Sequence, residues 1–190
     1  MRNWIISLKI FLFFTLITGL VYPLLITGIG QVVFPNNANG SLLKKDNQYI
    51  GSSLIGQQFD SSIYFMSRPS AIAYNPLPSG ASNYGLTNSK LKKFVDDQRH
   101  HFVMVNGLDS TQEVPSEMLF ASGSGLDPHI SPTAAYLQVD RIVRVRNLSS
   151  DQKQKLIVLI KDLTEPPQLL FLGEDRINVL LLNLKLDALK

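Results

Sequence analysis

An uncharged run of 25 residues near the amino terminus, Ile10 to Phe34, constrains this chain more than any other feature. At ~1.5 Å per residue, a helix of that length crosses a hydrocarbon core of ~30 Å with some tilt. The apolar core of a secretory signal is shorter, at about 7–15 residues, and no small-x-small cleavage site follows the run. The sequence therefore predicts a permanent, single membrane-spanning helix over 10–34.

The charges on either side of the run predict its orientation. Arg2 and Lys9 precede it, and the first acidic residue of the chain is Asp46. Because positive charge close to a span favours the cytoplasmic side, the amino terminus is expected inside the cell. The predicted order is a cytoplasmic segment 1–9, the span 10–34, a polar linker 35–46, and one extracytoplasmic domain 47–190, which is periplasmic in a Gram-negative cell.

Small and polar residues recur in the predicted span at every fourth position, at Thr15, Gly19, Pro23, Thr27 and Gln31. We call these residues the stripe. Positions four apart share a face of an α-helix, although the stripe drifts because a turn takes only ~3.6 residues. Such residues let a second membrane helix approach closely and form hydrogen bonds. Chance is the alternative, since spans tolerate glycine and proline anyway. We predict that the stripe binds partner helices.

The charge balance beyond the span excludes some classes of ligand. Two of the 18 basic residues precede the run, which leaves 16 basic against 15 acidic residues in the rest of the chain. A nearly neutral domain argues against nucleic acid or another acidic polymer as the ligand. The chain has no cysteine, so it has no disulfide, no thiolate metal ligand and no cysteine nucleophile.

The domain after the linker has the pattern of an α+β fold, a mixture of helices and strands that do not alternate regularly. Capping residues predict three helices, which start at Asn88 or Ser89 (to about Val105), at Ser131 with Pro132 (to about Asn147), and at Ser149 with Gln152. In the second helix, apolar spacing predicts that Arg141 and Arg144 point away from the buried face. Strands are predicted within 47–59, over 168–172 and over 177–186.

The long stretch from Tyr64 to Asn88 is predicted to form an ordered surface without regular structure. It holds three prolines and two glycines, together with aromatic side chains that can fix it to a core. Long ordered loops of this kind are usually functional. We therefore expect this stretch to form a functional surface.

The Gly- and Ser-rich stretch 121–132 does not fit the common phosphate-binding motifs. No GKS or GKT follows its glycines, as a P-loop requires, and Pro128 stands where a dinucleotide fingerprint would have its third glycine. The simplest interpretation is a tight turn in which Asp127 and Ser131 bind backbone amides.

A free-standing, membrane-anchored hydrolase is the alternative function, with Ser124, Asp127 and His129 as its triad. Clustering in sequence does not establish a triad, however, because triads are defined by geometry. His100 and His101 are adjacent and point to different helix faces, so they do not form a metal-binding pair. We therefore assign no catalytic residue and no metal ligand.

Seven blocks of sequence, distributed between the span and the last few residues, carry a resemblance to a known family, and we call them the family-like blocks. They are Tyr22-Pro23, Gly56-Gln57, Tyr64-Phe65, Arg68 to Ala71, Ser79 to Asn83, Ala121 to Ala135 with Gln138 and Arg141, and Gly173 to Asp187. Together they resemble the C subunit of the Kdp potassium-transporting P-type ATPase of bacteria, over almost the whole chain. A few loop positions depart from that pattern: Ala81, Leu86, Ser89 and Asp175.

The resemblance implies a four-part complex in the bacterial inner membrane. Its other members are a channel-like potassium-binding subunit, a P-type ATPase subunit and a small single-span subunit. This chain would be a non-catalytic accessory subunit for assembly and stability, which has no cofactor of its own and raises the affinity of the ATPase subunit for ATP.

The resemblance also implies a nucleotide contact at Ser122, Gly123, Ser124 and Gly125. The predicted orientation puts these residues outside the cell, where there is no ATP, so any effect on ATP affinity is expected to pass through the span. In the resembling subunit the outer domain meets a partner, so two groups of residues are expected to face the partner's outer surface: Arg68, Ser82 and Asn83 in the stretch 64–88, and Asp127 and His129.

Overall fold

The uncharged run folds within a longer helix in the computed structural model, which describes residues 2–189. The helix comprises α1 (Arg2–Leu16), a π-helical turn (Ile17–Val21) and α2 (Tyr22–Val33), and none of its residues is buried. Among the described residues, Arg2–Val33 is the one helix long and apolar enough to cross a membrane. It begins before Ile10 because residues 2–9, a mixture of apolar and polar side chains, contain no proline or glycine that would break a helix.

The π-helical turn lies where two side chains disturb the regular hydrogen bonding. Thr18 Oγ1 donates to the carbonyl of Phe14 at 2.7 Å, and the amide of Tyr22 donates to Ile17, five residues back. Pro23 follows immediately, and it has no amide hydrogen and crowds the carbonyl four residues before it. A widened turn accommodates both effects.

The chain divides into two compact units on either side of the bond between Ser52 and Ser53, and the structure describes residues 2–52 of the first and 53–189 of the second. In the first unit, a helical turn α3 (Pro35–Ala38) is followed by strands β1 (Leu42–Lys45) and β2 (Gln48–Ser52), which pair antiparallel. The helical turn α3 and strand β1 therefore lie within the predicted linker 35–46. Met1 and Lys190, at the ends of the predicted segments 1–9 and 47–190, lie outside the described residues.

The second unit contains α4 (Ser89–Asn106), a 3₁₀ turn (Ser116–Met118), β3 (His129–Ile130), α5 (Pro132–Arg146), α6 (Ser150–Asp162), β4 (Ile177–Asn178) and α7 (Val179–Asp187). Three predicted helix starts are confirmed, since Asn88, Ser131 and Ser149 accept hydrogen bonds from their own first turns. The predicted capping box is also present. Mixed helix and strand content is confirmed, with helices predominant.

The core of the second unit forms around α5, which packs against α4 and α6, while α6 packs against α7. Ala135, Val139 and Ile142 are buried on α5, as the apolar spacing predicts. They meet Phe102 of α4 and Leu156 of α6 in one cluster. The antiparallel pair of β3 and β4 brings the carboxyl-terminal segment beside the Gly- and Ser-rich stretch.

The prediction that Arg141 points away from the core was wrong, because its side chain is 1 % exposed. Its guanidinium donates to Asn106 Oδ1 at 2.9 Å, to Gln138 Oε1 at 2.9 Å and to the carbonyl of Ser62. Burial, together with the charge of Arg144, lowers the pKa of Arg141 to about 10, so it remains a cation at neutral pH. Three polar acceptors compensate for the loss of water around this cation.

Other buried polar side chains hold the irregular segment 62–66 against the helices. Asn183 accepts from the amide of Phe65 at 2.8 Å and donates to its carbonyl at 3.0 Å, and Gln138 accepts from the amide of Met66 at 2.7 Å. These side chains take the place of a neighbouring strand. Several residues of the family-like blocks therefore serve the fold.

The two strands predicted near the carboxyl terminus were wrong. The segment 168–172 forms a tight exposed turn, and most of 177–186 is helix α7. Asn178 caps that helix by accepting from the amide of Leu181 at 3.1 Å. An unbroken apolar run fits a buried helix as well as a strand, and leucine favours the helix.

Candidate functional site

The Gly- and Ser-rich stretch is held through its main-chain carbonyls, by Gly56 and by the irregular loop 64–88. The amide of Gly80 donates to the carbonyl of Ser124 at 3.0 Å, and the amide of Gly56 donates to that of Leu126 at 2.7 Å. Ser70 Oγ donates to the carbonyl of Gly125 at 2.7 Å. The family-like blocks around these residues therefore form one continuous surface.

Two glycines permit this close approach. A Cβ at Gly125, which has φ +71°, would lie 2.6 Å from Ile72 Cγ1, and a Cβ at Gly56 would lie 2.7 Å from the carbonyl oxygen of Asp127. Gly123, two residues before Gly125, has nothing within 4 Å of the same position. Of Gly123 and Gly125 in the Gly- and Ser-rich stretch, only Gly125 is therefore required by packing.

Arg68, Asp127 and His129 form a charged network on this surface. Arg68 Nη1 lies 2.7 Å from Asp127 Oδ2, and His129 Nδ1 lies 3.2 Å from Asp127 Oδ1, which also accepts from the amide of His129 at 3.0 Å. Burial alone would raise the pKa of Asp127. The hydrogen bonds from His129 and the charge of Arg68 outweigh burial and lower it. The predicted interaction of Asp127 with a backbone amide is therefore confirmed.

The network lines an open cavity of about 720 Å³, where charges of both signs meet. Glu117, Glu174 and Arg176 also line it. Within the described residues, the Nε atom of Arg68 is buried without a hydrogen-bond partner. A surface with mixed charges and partly buried ions is suited to a polar protein partner.

The geometry does not support the hydrolase alternative. Ser124 Oγ accepts from the amide of Leu126 at 3.1 Å, while the ring of His129 pairs with Asp127. Among the described residues, no hydrogen bond joins Ser124 to His129, so the serine has no adjacent base to activate it.

Three amides at the end of the stretch 122–125 and just after it form hydrogen bonds within the turn, so they are not free to bind phosphate. The amides of Gly125, Leu126 and Asp127 all donate to acceptors within the turn, two of them to Ser122. Ser122 is buried, whereas Gly123 and Ser124 are exposed. A nucleotide contact at these residues stays a prediction, and this arrangement does not favour it.

Ser82 and Asn83 lie apart from the charged network. Both are exposed, and they line a different cavity of about 630 Å³ together with Tyr84, Phe94 and Phe120. The predicted partner-binding residues of the second unit therefore fall on two neighbouring patches. Ser70 belongs to the second cavity and also contacts the Gly- and Ser-rich stretch, so it connects the patches.

The stripe rotates less around the helix axis than the same residues would on a regular α-helix. Four steps of four residues would carry it about 160° around an α-helix, because each residue turns about 100°. The π-helical turn takes up about one extra residue and removes about 100° of this drift. A Cβ at Gly19 or Gly28 meets nothing within 4 Å, whereas Gln31 Oε1 accepts from Asn39 Nδ2 at 3.2 Å.

In the described part of the chain, no group of three or more His, Asp or Glu side chains is placed to hold a metal ion. His100 and His101 are exposed on α4. Asp127 and His129 offer two ligands, and the adjacent Arg68 supplies a positive charge that opposes a cation.

Sequence reasoning missed two features of the second unit. One is the polar set Arg141, Gln138 and Asn183, whose apolar neighbours in sequence were the only signal of burial. The other is the exposed apolar turn at 169–172, which was predicted to be a strand. The diproline before it and the Gly-Glu-Asp after it were the signals for a turn.

Comparison with known proteins places these features in one family. The sequence model of the family described as "K+-transporting ATPase, c chain" matches residues 4–188. The chain is 48% identical over 187 residues to a potassium-transporting ATPase KdpC subunit from Methylococcus capsulatus, covering 97% of this chain and 96% of that protein. It is 45% identical to the KdpC subunits from Pectobacterium atrosepticum (97% and 95% covered) and Mycobacterium bovis (99% of each). The chain belongs to the KdpC family, the c chains of K+-transporting ATPases.

Proposed function

We propose that the chain is a non-catalytic accessory subunit of an ATP-driven potassium uptake pump, required for assembly and stability of the complex. The observation that carries this proposal is the family match over residues 4–188, which includes the apolar helix and the second unit alike. The separation of Ser124 from His129 supports a binding role and not a hydrolytic one.

The helix Arg2–Val33 anchors the subunit in the bacterial inner membrane, with the amino terminus in the cytoplasm and the second unit outside. Arg2 and Lys9 at its start, and the absence of any acidic residue before Asp46, support this orientation. Its apolar side chains are exposed along the whole length, as a lipid-facing helix requires.

The partners of the subunit are a channel-like potassium-binding subunit, a P-type ATPase subunit and a small single-span subunit. The stripe packs against the membrane helices of the partners, where Gly19 leaves room for close approach. Arg68, Asp127 and His129 on one patch, and Ser82 and Asn83 on the other, contact the outer surface of a partner.

The subunit has no cofactor of its own, and ATP acts through the ATPase subunit. Its influence on ATP affinity is an allosteric effect, because the second unit and the cytoplasmic nucleotide lie on opposite sides of the membrane. The amides of Gly125, Leu126 and Asp127, which already donate within the turn, support this indirect route.

The test is growth of cells that depend on this pump at low external potassium. Removal of the chain is expected to abolish growth, and wild type and Ser124→Ala are expected to restore it equally. Growth without the chain would contradict the proposal, and failure of Ser124→Ala alone would revive the hydrolase.

Topology is tested in the same cells. The chain has no native cysteine, so Ser124→Cys in the intact complex can be labelled with a membrane-impermeant thiol reagent without background from this subunit. Labelling in intact cells is expected. Labelling only after lysis would indicate the opposite orientation, with the second unit in the cytoplasm.

A further inference from the structure

We propose that Leu169, Leu170, Phe171 and Leu172, here called the apolar finger, insert into an apolar pocket with a basic rim on another subunit of the pump. This inference rests on the proposed function, and it adds a docking element that the two polar patches do not include. The partner is a protein surface of that chemistry on the extracytoplasmic side.

The apolar finger exposes a contiguous apolar surface at the tip of a narrow turn. Its four side chains are 75, 88, 75 and 50 % exposed. Single exposed apolar residues are ordinary, but a continuous patch of this kind on a soluble unit marks an interaction surface. A protruding phenylalanine with aliphatic neighbours can serve as an anchor in an apolar pocket.

The backbone of the apolar finger is fixed before any partner arrives. Gln168 and Leu172 exchange two hydrogen bonds of 2.9 Å, and the amide of Leu170 donates to the carbonyl of Pro167 at 3.1 Å. Below them, Glu165 and Arg176 pair through both backbone and side chains. Such preorganisation lowers the entropy cost of docking.

Two consecutive leucines of the apolar finger hold left-handed backbone conformations. Leu169 has φ +53° and Leu170 has φ +71°. Asparagine or glycine adopts this conformation more easily than leucine, so the sequence accepts strain to keep apolar side chains at the tip. Strain of this kind with no benefit to the fold points to a benefit in binding.

The charges beside the apolar finger favour a protein pocket over a lipid surface. Glu174 and Asp175 follow it after Gly173 and are exposed, while Arg176 is already paired with Glu165. Loops that enter anionic membranes carry lysine and arginine beside their apolar residues, and acidic neighbours are repelled. An acidic collar instead complements a pocket with a basic rim.

The test is co-purification of the full-length chain with the other pump subunits, comparing wild type with Leu169→Asn/Leu170→Asn. Asparagine keeps the left-handed turn and removes the apolar surface, so the thermal transition of the variant chain is expected to be unchanged or higher. Its apparent affinity for the complex is expected to fall by about tenfold or more. Met104→Gln, an exposed apolar residue on α4, is the matched control and is expected to co-purify like wild type.

The outcomes separate the inference from the proposed function. If wild type itself does not co-purify with the pump, the proposed function fails. If wild type and the asparagine variant co-purify equally, only the apolar finger inference is overturned. Bimane attached at Leu170→Cys in the assembled complex, in nanodiscs containing brominated lipid, tests the membrane alternative, and quenching by that lipid would also overturn the inference.

Discussion

Arg68 Nη1 lies 2.7 Å from Asp127 Oδ2, and this ion pair joins two loops. The two residues are 59 positions apart in the sequence. The two side chains are 23 % and 29 % exposed, so solvent screens the pair only in part. Because both residues belong to family-like blocks, the pair connects the irregular loop to the Gly- and Ser-rich stretch within one candidate binding surface.

A double-mutant cycle measures this connection. Arg68→Ala, Asp127→Ala and the double variant are expected to give a coupling energy of about 1 kcal/mol, as for other partly exposed pairs. The measurement is the free energy of unfolding of the full-length chain in urea. Lys153 and Asp140, a more exposed pair on neighbouring helices, serve as control with a smaller coupling. Additive single effects for Arg68 and Asp127 would contradict the structure.

Stability should depend on the charge of Asp127 in acid. Its pKa is lowered in the fold, so the ionised carboxylate contributes stability that is fully present above about pH 4, the ordinary range of aspartate. This contribution is lost as the pH falls through the lowered pKa. Asp127→Asn is therefore expected to be less stable than wild type at pH 7, with a smaller difference at pH 2. An equal difference at both pH values would be the contrary result.

Gly125→Ala and Gly123→Ala distinguish a structural role from a nucleotide-binding role for the glycines of the Gly- and Ser-rich stretch. A Cβ at Gly125 collides with Ile72 and its φ is positive, which predicts a loss of about 1–3 kcal/mol. Gly123 has open space, which predicts a change within about 0.5 kcal/mol. The measurement is chemical unfolding. Similar losses for both variants would show that the packing around Gly125 is described incorrectly.

Arg141→Met is expected to destabilise the second unit by about 3 kcal/mol or more, because it removes the donor to Asn106 Oδ1 and to the carbonyl of Ser62. It also removes one of the two donors to Gln138 Oε1. Arg141→Lys should recover only part of this loss, since an ammonium cannot serve the same three directions. Arg144→Met, on the exposed side of α5, is the control. The measurement is thermal unfolding, with Arg141→Met expected to be the least stable variant, Arg141→Lys intermediate and Arg144→Met the most stable. Equal stability of Arg141→Met and Arg144→Met would contradict this expectation.

Gly19→Leu is expected to lower the yield of assembled complex at least several-fold while leaving the unfolding of the second unit unchanged. Leucine fills the space along the stripe that a partner helix would occupy. Leu25→Phe, on the opposite face by helical spacing, is the control. The yield is read by size-exclusion chromatography of detergent extracts, and equal yields for the two variants would remove the stripe from the interface.

Local signals explain how much of the fold was predictable. Helix starts at Asn88, Ser131 and Ser149 were correct, since a cap and its first turn are neighbours in sequence. The burial of Arg141 was not predictable in this way, because its acceptors come from Ser62 and Asn106, far along the chain. Helix α7 was mistaken for a strand because it is apolar on nearly every side.

The candidate site was predictable only residue by residue. Arg68, Asp127 and His129 were each identified from family-like blocks, but their contact depends on a loop without periodic pattern. The apolar finger was missed because exposed leucine and phenylalanine contradict the usual rule of burial. Its proposed partner is a different chain, and a single sequence contains no signal for it.

We propose that this chain assembles with the other subunits of a potassium pump through both its membrane helix and its second unit. The most direct measurement is affinity purification of the tagged full-length chain from membranes in mild detergent, followed by mass analysis of the eluate. The predicted result is co-elution with a channel-like subunit and a P-type ATPase subunit in fixed proportion. Elution of the chain alone, from membranes that contain those subunits, would contradict the claim.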